Sequence, residues 1–306
     1  MDKRQKERLE IRLLPKGYYH LSTDGWRDGL LFNSDEQYKF GMASMALASL
    51  LFPVKIYVFE LMPNHLHAVL SATGKNCLKL FYYLKRRINA QLLKDGNAPL
   101  PKDYWFKLTP IENVKSLEDH VIYVDRNAYE KNLCVPGGYR WGSDYLLFND
   151  LGDVIRGKKV KEIPDSSLKK QIGSDIELPE DWEIHPDLGV LPRNFIQIEK
   201  VRSLFPSPKK YMTRLVKDYE SFVHVAAELG ETVDWSPEEV DDMVNTTVRS
   251  MYPHKWLREL TPDEKGQLAV TLSKRYGLTE TVIASAIKLS EHLVVQFINA
   301  KDYRYK

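Results

Sequence analysis

Two histidines, His65 and His67, stand one residue apart in the stretch LMPNHLHAVLS, residues 61–71. The run is otherwise apolar and strand-like, and it holds a Pro-Asn turn signal. On a strand, residues i and i+2 share a face. The two imidazoles therefore project together, while Leu66, Ala68 and Leu70 turn the other way into a core. Such a pair suits chelation of one divalent cation. The same spacing also suits two histidines that only line a half-exposed strand. A second stretch, HVIYVDRN at 120–127, has helical character. There Tyr123 and Asn127, four apart, share a face. A tyrosine hydroxyl is a usable nucleophile, and an amide oxygen is a hard metal ligand. If that face packs toward the histidine strand, a metal and a nucleophile meet at one point. His120, one turn before Tyr123, is an auxiliary candidate for proton removal; its plainer reading is an exposed helical residue.

The elements that would position these groups follow from local pattern. GYYHLST (17–23) is rich in aromatic and β-branched residues and reads as a strand. Ser34-Asp-Glu-Gln37 is a capping box opening a helix that runs to about Leu51 and stops at Pro53. Residues 55–61 and 65–71 read as a strand pair joined by the turn at Met62-Pro63-Asn64. Residues 77–94 carry apolar side chains at helical spacing. Tyr104 to Ile111 reads as a fourth strand, and Ser116-Leu-Glu-Asp119 opens a helix through about Lys131. The order β-α-β-β-α-β-α is that of an α+β, split βαβ, ferredoxin-like antiparallel sheet with one extra helix. Residues 1–150 are read as this domain, 151–208 as a connector or appendage, and 209–306 as a mainly helical region. In the last part Ser236-Pro-Glu-Glu239 and Thr261-Pro-Asp-Glu264 are helix starts. TETVIASAI, a short KLS turn and EHLVVQFI have helix-turn-helix rhythm, though the second helix is poor in arginine and lysine.

Composition bounds the reading without deciding it. The chain has 306 residues, 43% hydrophobic and 28% charged, with a net charge of +2. Residues 1–150 hold 21 Lys and Arg against 17 Asp and Glu, a weakly basic half. Two cysteines without CxxC spacing fit a reducing compartment and argue against a zinc ribbon. The charged N-terminus is no secretory signal, and the apolar run 41–54 is too short to span a bilayer. A cytoplasmic protein with no membrane partner is expected.

Four stretches in order resemble the single-tyrosine HUH transposases, the insertion-sequence and REP-associated tyrosine transposase family. GYYHLST is similar to that family's first strand. MPNHLH (62–67) matches its metal motif closely. HVIYVDRN resembles its tyrosine-bearing helix, and YRWGSDY (139–145) the segment that follows. The resemblance covers about residues 16–148. It departs where the family often has Asn-Pro and this chain has Asn127-Ala128. It implies an HUH nuclease domain in which His65, His67 and Asn127 hold Mg²⁺ or Mn²⁺. Tyr123 would attack a single-stranded or hairpin DNA linkage, leaving a 5′-phosphotyrosine and a free 3′-hydroxyl. A second 3′-hydroxyl would then rejoin the strands. Relatives occur as monomers and as dimers, so a homodimer is an allowed state. On helix 77–94, Lys79, Lys85, Arg86 and Arg87 interleave with Tyr82 and Tyr83, a combination suited to DNA phosphates and bases. Lys3, Arg4, Lys6 and Arg8 read as a basic arm. The competing expectation is a domesticated DNA-binding protein on the same fold without catalysis.

Overall fold

The computed structural model describes residues 3–26, 29–149 and 151–300. It divides into two compact units, Met1–Lys217 and Asp218–Lys306. The first is built on strands β1 (Gly17–Thr23), β2 (Lys55–Leu61), β3 (Leu66–Ala72) and β4 (Phe106–Ile111). They form an antiparallel sheet in the order β2-β3-β1-β4. Helices α1 (Lys3–Leu13), α2 (Asp35–Leu51), α3 (Gly74–Lys94) and α4 (Val114–Glu130) complete the element order expected from the sequence, with α1 added at the front.

Strand alternation sorts the side chains into two cores. Tyr19, Leu21, Leu66, Ala68 and Leu70 join a large cluster with residues of α2 and α3. Val58, Val69 and Ile111 face the other way and pack with Leu117, Val121 and Val124 of α4. His67 and Val69 sit two apart on β3, so the histidine side of that strand is the α4 side. The hairpin turn is closed by the Met62 N–H donating to the His65 carbonyl at 2.9 Å. His65 therefore stands one residue before the ladder rather than inside it.

Two helix starts differ from the sequence expectation. The helix carrying Tyr123 is capped not by Ser116 but by Asn113, whose side chain accepts from the Ser116 N–H at 2.9 Å. Helix α3 begins at Gly74 behind the cap Thr73. The N-terminal basic run is not an extended arm. It is helix α1, packed against α3, with Ile11 buried.

Residues 151–217 are not a separate appendage. A small sheet of β5 (Lys158–Lys159), β6 (Glu183–His185) and β7 (Gly189–Val190) shares the large core through Ile184 and Val190. Short helices α5 (Leu151–Val154), α6 (Asp165–Ile172), α7 (Ile198–Arg202) and α8 (Pro208–Lys217) complete the unit. The expected boundary at 208/209 falls at the start of α8, and the chain instead divides after Lys217. The reason is that α8 is hydrogen-bonded to α4 through Tyr211 and Arg214. The segment YRWGSDY covers the outer edge of β2. Ser143 Oγ accepts from the Phe59 N–H at 2.9 Å, the Leu61 N–H donates to the Trp141 carbonyl, and Glu60 bridges to Gly142. A Cβ at Gly142 would stand 2.9 Å from the Phe59 carbonyl oxygen, so only glycine allows this approach.

The second unit is helical: α9 (Tyr219–Leu229), α10 (Pro237–Met251), α11 (Pro262–Tyr276), α12 (Glu280–Ile287) and α13 (Glu291–Asn299). Both expected capping boxes, at Ser236 and Thr261, are formed. Lys288 takes a left-handed conformation, φ 55°, in the turn between α12 and α13. Among the described residues no single helix is long and apolar enough to cross a membrane.

Arg87, expected to face DNA, is turned inward and 9% exposed. It donates to Ser44 Oγ at 2.7 Å and to the carbonyls of Ile172 and Gly173 at 2.5 and 3.0 Å, tying α3 to α2 and α6. Its loss strands buried acceptors. Arg87→Ala is expected to lower stability by about 3 kcal/mol, read by urea unfolding of the full chain. A change within experimental scatter would show that the three bonds contribute nothing net.

Candidate active site

The residues with chemistry in them converge between the sheet and α4. The ring centroid of Tyr123 lies 5.7 Å from that of His67 and 5.8 Å from that of His20. His65 and His67 stand nearly perpendicular, 4.8 Å apart by ring centroids. His120 sits one turn before Tyr123 and is fully buried, so its plainer reading as an exposed residue is overturned. Asn127, one turn after Tyr123, is buried as well. The next residue, Ala128, donates its N–H to Glu60 Oε2 at 3.2 Å. Glu60 is the cross-strand partner of His67, so this end of α4 lies over the histidine strand.

Sequence reading missed the residue at the centre. His20, on β1, links the two histidines on other elements. Its Nε2 is 3.0 Å from His67 Nδ1, and its Nδ1 is 2.9 Å from His120 Nδ1. Three imidazoles from β1, β3 and α4 thus form one hydrogen-bonded chain. Burial first, and the neighbouring imidazoles second, push His20 well below the ordinary histidine range. Burial pushes His67 down to about 3. His20 and His67 are therefore neutral at neutral pH, and each neutral ring carries one N–H.

Neutrality gives the chain a direction. Asn64 Oδ1 lies 2.7 Å from His65 Nδ1, and an amide oxygen only accepts. His65 Nδ1–H thereby donates to Asn64, which leaves Nε2 as the nitrogen that can ligate. If His67 Nδ1–H donates to His20 and His20 Nδ1–H donates to His120, His67 also carries its lone pair on Nε2. In that state both members of the pair offer Nε2, each steadied through Nδ1 by a second residue. This is the arrangement that metal-ligating histidines use.

Beside the imidazoles lies a group of buried carboxyls. Glu60 and Asp125 are pushed well above the ordinary carboxyl range, by burial first and then by Asp144 and, for Glu60, by Asp125. Burial raises Asp144 to about 7, against the pull of the Tyr139 and Tyr145 N–H groups it accepts from. Tyr211 on α8 donates its hydroxyl to Asp125 Oδ2 at 2.8 Å. Helix α8 also holds α4 through Arg214, which pairs with Glu118 at 2.7 Å and with Asp119, and Arg126 NH1 donates to the Leu215 carbonyl at 2.8 Å. Tyr123 is 2% exposed and His67 is fully buried, so α4 closes the site.

The donor set of His65, His67 and Asn127, two imidazoles and an amide oxygen, is chemically fit for a divalent cation. Among the described residues no group of three or more His, Cys, Asp or Glu is arranged to hold a metal ion. Of the residues expected to meet DNA, Lys79, Tyr82 and Arg86 are on the surface of α3 and line a groove, with Tyr83 at its inner edge. Lys85 is half-buried and donates to the Tyr104 carbonyl at 2.6 Å, and Arg87 is the internal tie described above.

No family model and no curated protein matches the chain. A solved structure described as "Structure of the REP associates tyrosine transposase bound to a REP hairpin" is similar to it at 18% identity, over 43% of this chain and 79% of that chain, with a TM-score of 0.35. The likeness is weak at that score, and function is read from the site itself.

Two outcomes follow from the geometry. His20→Ala removes the group that steadies His67. Where the pair takes up Mn²⁺, as proposed below, that binding is expected to weaken about 10- to 100-fold by titration calorimetry, with the fold retained by circular dichroism. An unchanged affinity would remove His20 from any positioning role. Glu60 gives a pH-dependent outcome. Its folded pKa is raised, so below its unfolded value near 4.5 both states are protonated and no penalty exists. As pH rises past that value only the unfolded state ionises, and stability falls by about 1.4 kcal/mol per pH unit until the folded group titrates. In metal-free buffer Glu60→Gln should therefore gain on the parent protein in thermal midpoint as pH goes from 5 to 8. A constant difference across that range would refute the buried, protonated state.

Proposed function

We propose that this chain is a metal-dependent DNA strand transferase of the single-tyrosine HUH kind, acting through Tyr123 on single-stranded or hairpin-bearing DNA. The ferredoxin-like arrangement of its sheet would carry the site. The observation that supports the reading most is the meeting of Tyr123 with His67, 5.7 Å between rings contributed by α4 and β3. Sequence motif and three-dimensional proximity agree at that point.

His65, His67 and Asn127 would hold Mg²⁺ or Mn²⁺, which when bound polarises a scissile phosphate and offsets its developing charge. Tyr123 Oη attacks phosphorus. The P–Oη bond forms, the P–O3′ bond breaks, and the departing 3′-oxygen takes up a proton from water. The phenolic proton would pass to the imidazole chain, whose His67 and His20 rings lie 5.7 and 5.8 Å from the Tyr123 ring. A tyrosine with its ordinary pKa near 10 is a weak nucleophile at neutral pH, and a neighbouring neutral imidazole supplies the base it needs. The bond energy is kept in the 5′-phosphotyrosine, so a second 3′-hydroxyl can rejoin the strand without a nucleotide cofactor. Substrate entry requires α4 to lift, because Tyr123 is covered in this conformation.

That covering also favours the competing reading, a non-catalytic DNA-binding protein on the same scaffold. The two separate cleanly. With a hairpin-bearing single-stranded oligonucleotide and Mn²⁺, the transferase reading expects a covalent adduct stable in denaturing gel electrophoresis. The adduct should be absent from Tyr123→Phe and strongly reduced in His65→Ala. Salt-sensitive binding with no adduct, unaltered by His65→Ala, would favour the non-catalytic protein.

A further inference from the structure

A groove of about 680 Å³ between α1 and α3 is lined by Arg8, Arg12, Lys75, Lys79 and Arg86, together with tyrosines and apolar residues and no acidic side chain. The α3 residues Lys75, Lys79, Tyr82 and Arg86 are all exposed. Their spacing of 4, 3 and 4 places them in one stripe. Arg8 and Arg12, one turn apart on α1, form the facing wall. Five cations without a counter-charge in one concavity make a site for a polyanion.

The rings in the groove decide which part of a nucleic acid it suits. The Arg8 guanidinium lies over the Tyr82 ring at 5.2 Å from its centroid, and that of Arg86 lies 5.8 Å from the Tyr83 centroid. A ring face covered by a guanidinium does not offer a platform for a base. The stacked arginine keeps N–H donors directed away from the ring. The tyrosines thus steady cations for phosphate contact. Lys75 to Arg86 spans about 16 Å at 1.5 Å per residue, which matches the axial rise of about five phosphates on one duplex strand. Helix α3 packs on the sheet face carrying Leu21, Ala68 and Leu70, whereas Tyr123 lies on the face carrying Val69. A strand in this groove is therefore remote from the linkage that reacts.

We infer that the α1–α3 groove binds the phosphodiester backbone of double-stranded DNA, independently of sequence, on the face of the sheet opposite Tyr123. The inference deepens the reading above and rests on it for the polyanion being DNA.

The probe is a labelled 20-base-pair duplex of arbitrary sequence, titrated with the full chain at several NaCl concentrations and followed by fluorescence anisotropy. Removing three phosphate contacts with Lys75→Ala, Lys79→Ala and Arg86→Ala together should make the slope of log K against log salt shallower by roughly 2.7, at about 0.9 per contact. If that variant does not fold, Arg8→Glu with Arg12→Glu on the facing wall carries the same expectation of a weaker, shallower curve. A slope equal to that of the parent protein in a folded variant overturns the inference. So does a loss seen for oligo-dT but not for the duplex. Groove-dependent duplex binding with no Tyr123 adduct would sink strand transfer and leave the groove standing. An adduct with groove-independent duplex binding would do the reverse.

Discussion

The first unit depends on a polar layer sealed between its sheet and α4. Burying imidazoles and carboxyls costs several kcal/mol unless each is neutral and hydrogen-bonded. Opposite shifts bring His20, His67, Glu60 and Asp125 toward neutrality, and each makes at least one hydrogen bond, while Glu60 Oε1 and Asp125 Oδ1 have no partner among the described residues. Burial, with the neighbouring imidazoles for His20, lowers His20 and His67; burial raises Glu60, Asp125 and Asp144, with carboxyl repulsion adding for the first two. Groups that would carry opposite charges in water are driven toward the same uncharged state. A helix can then close over them, with His20 joining its neighbours on β3 and α4 and Tyr211 donating to Asp125 Oδ2. Such a layer also resists repacking, because a half-satisfied network is worse than none.

How far this could be seen beforehand varied with the distance over which each partner acts. The order of strands and helices from 17 to 130 was legible because alternation, capping and turns are local. The pair His65 and His67 was legible for the same reason, as was the face shared by Tyr123 and Asn127. His20 was not. Within GYYHLST it is one polar residue in a strand-like run, and its partners lie 47 and 100 positions away. Asn64 passed as a turn residue, although its side-chain oxygen accepts from His65 Nδ1. Glu60 in KIYVFEL carried no signal of its own; the segment 139–143, by covering the edge of β2, and Ala128 put it inside. The signal that would have found His20 and Glu60 is a polar residue inside a strand whose neighbours are mostly apolar on both faces.

The basic residues of α3 carry the same lesson in reverse. Composition alone put Lys79, Lys85, Arg86 and Arg87 into one DNA-facing set. Helical phase divides them: Lys79 and Arg86 share the outer stripe, whereas Arg87 falls on the side where α2 and α6 meet. A charged residue adjacent in sequence to a surface cation can still be a core residue if unpaired carbonyls wait for it. The carbonyls of Ile172 and Gly173 end α6, and a helix terminus leaves acceptors that need a donor. Arg87 supplies it from another helix, which is why residues 151–217 are part of the unit and not a tether.

The same accounting applies to α8 and bears on how the closed site could serve the proposed strand transfer. A tyrosine that must reach phosphorus cannot stay 2% exposed through a cycle. What retains α4 is partly apolar packing and partly the contacts from α8: Arg214 to Glu118 and Asp119, Arg126 to the Leu215 carbonyl, and Tyr211 to Asp125. The Arg214 pairs are partly exposed and each is worth little in water. The Tyr211 bond is fully buried and its loss strands Asp125. Among the contacts from α8, those at the N-terminal end of α4 are the cheapest to break, and the Tyr211 bond to Asp125, two residues beyond Tyr123, is the dearest. A hinge placed there would swing the first turns of the helix outward while Asn127 and Ala128 stay over β3 and Glu60. The residues proposed to hold a cation would keep their places as the nucleophile side opens. In a strand transferase, that separates the part of the site that must remain fixed from the part that must admit DNA.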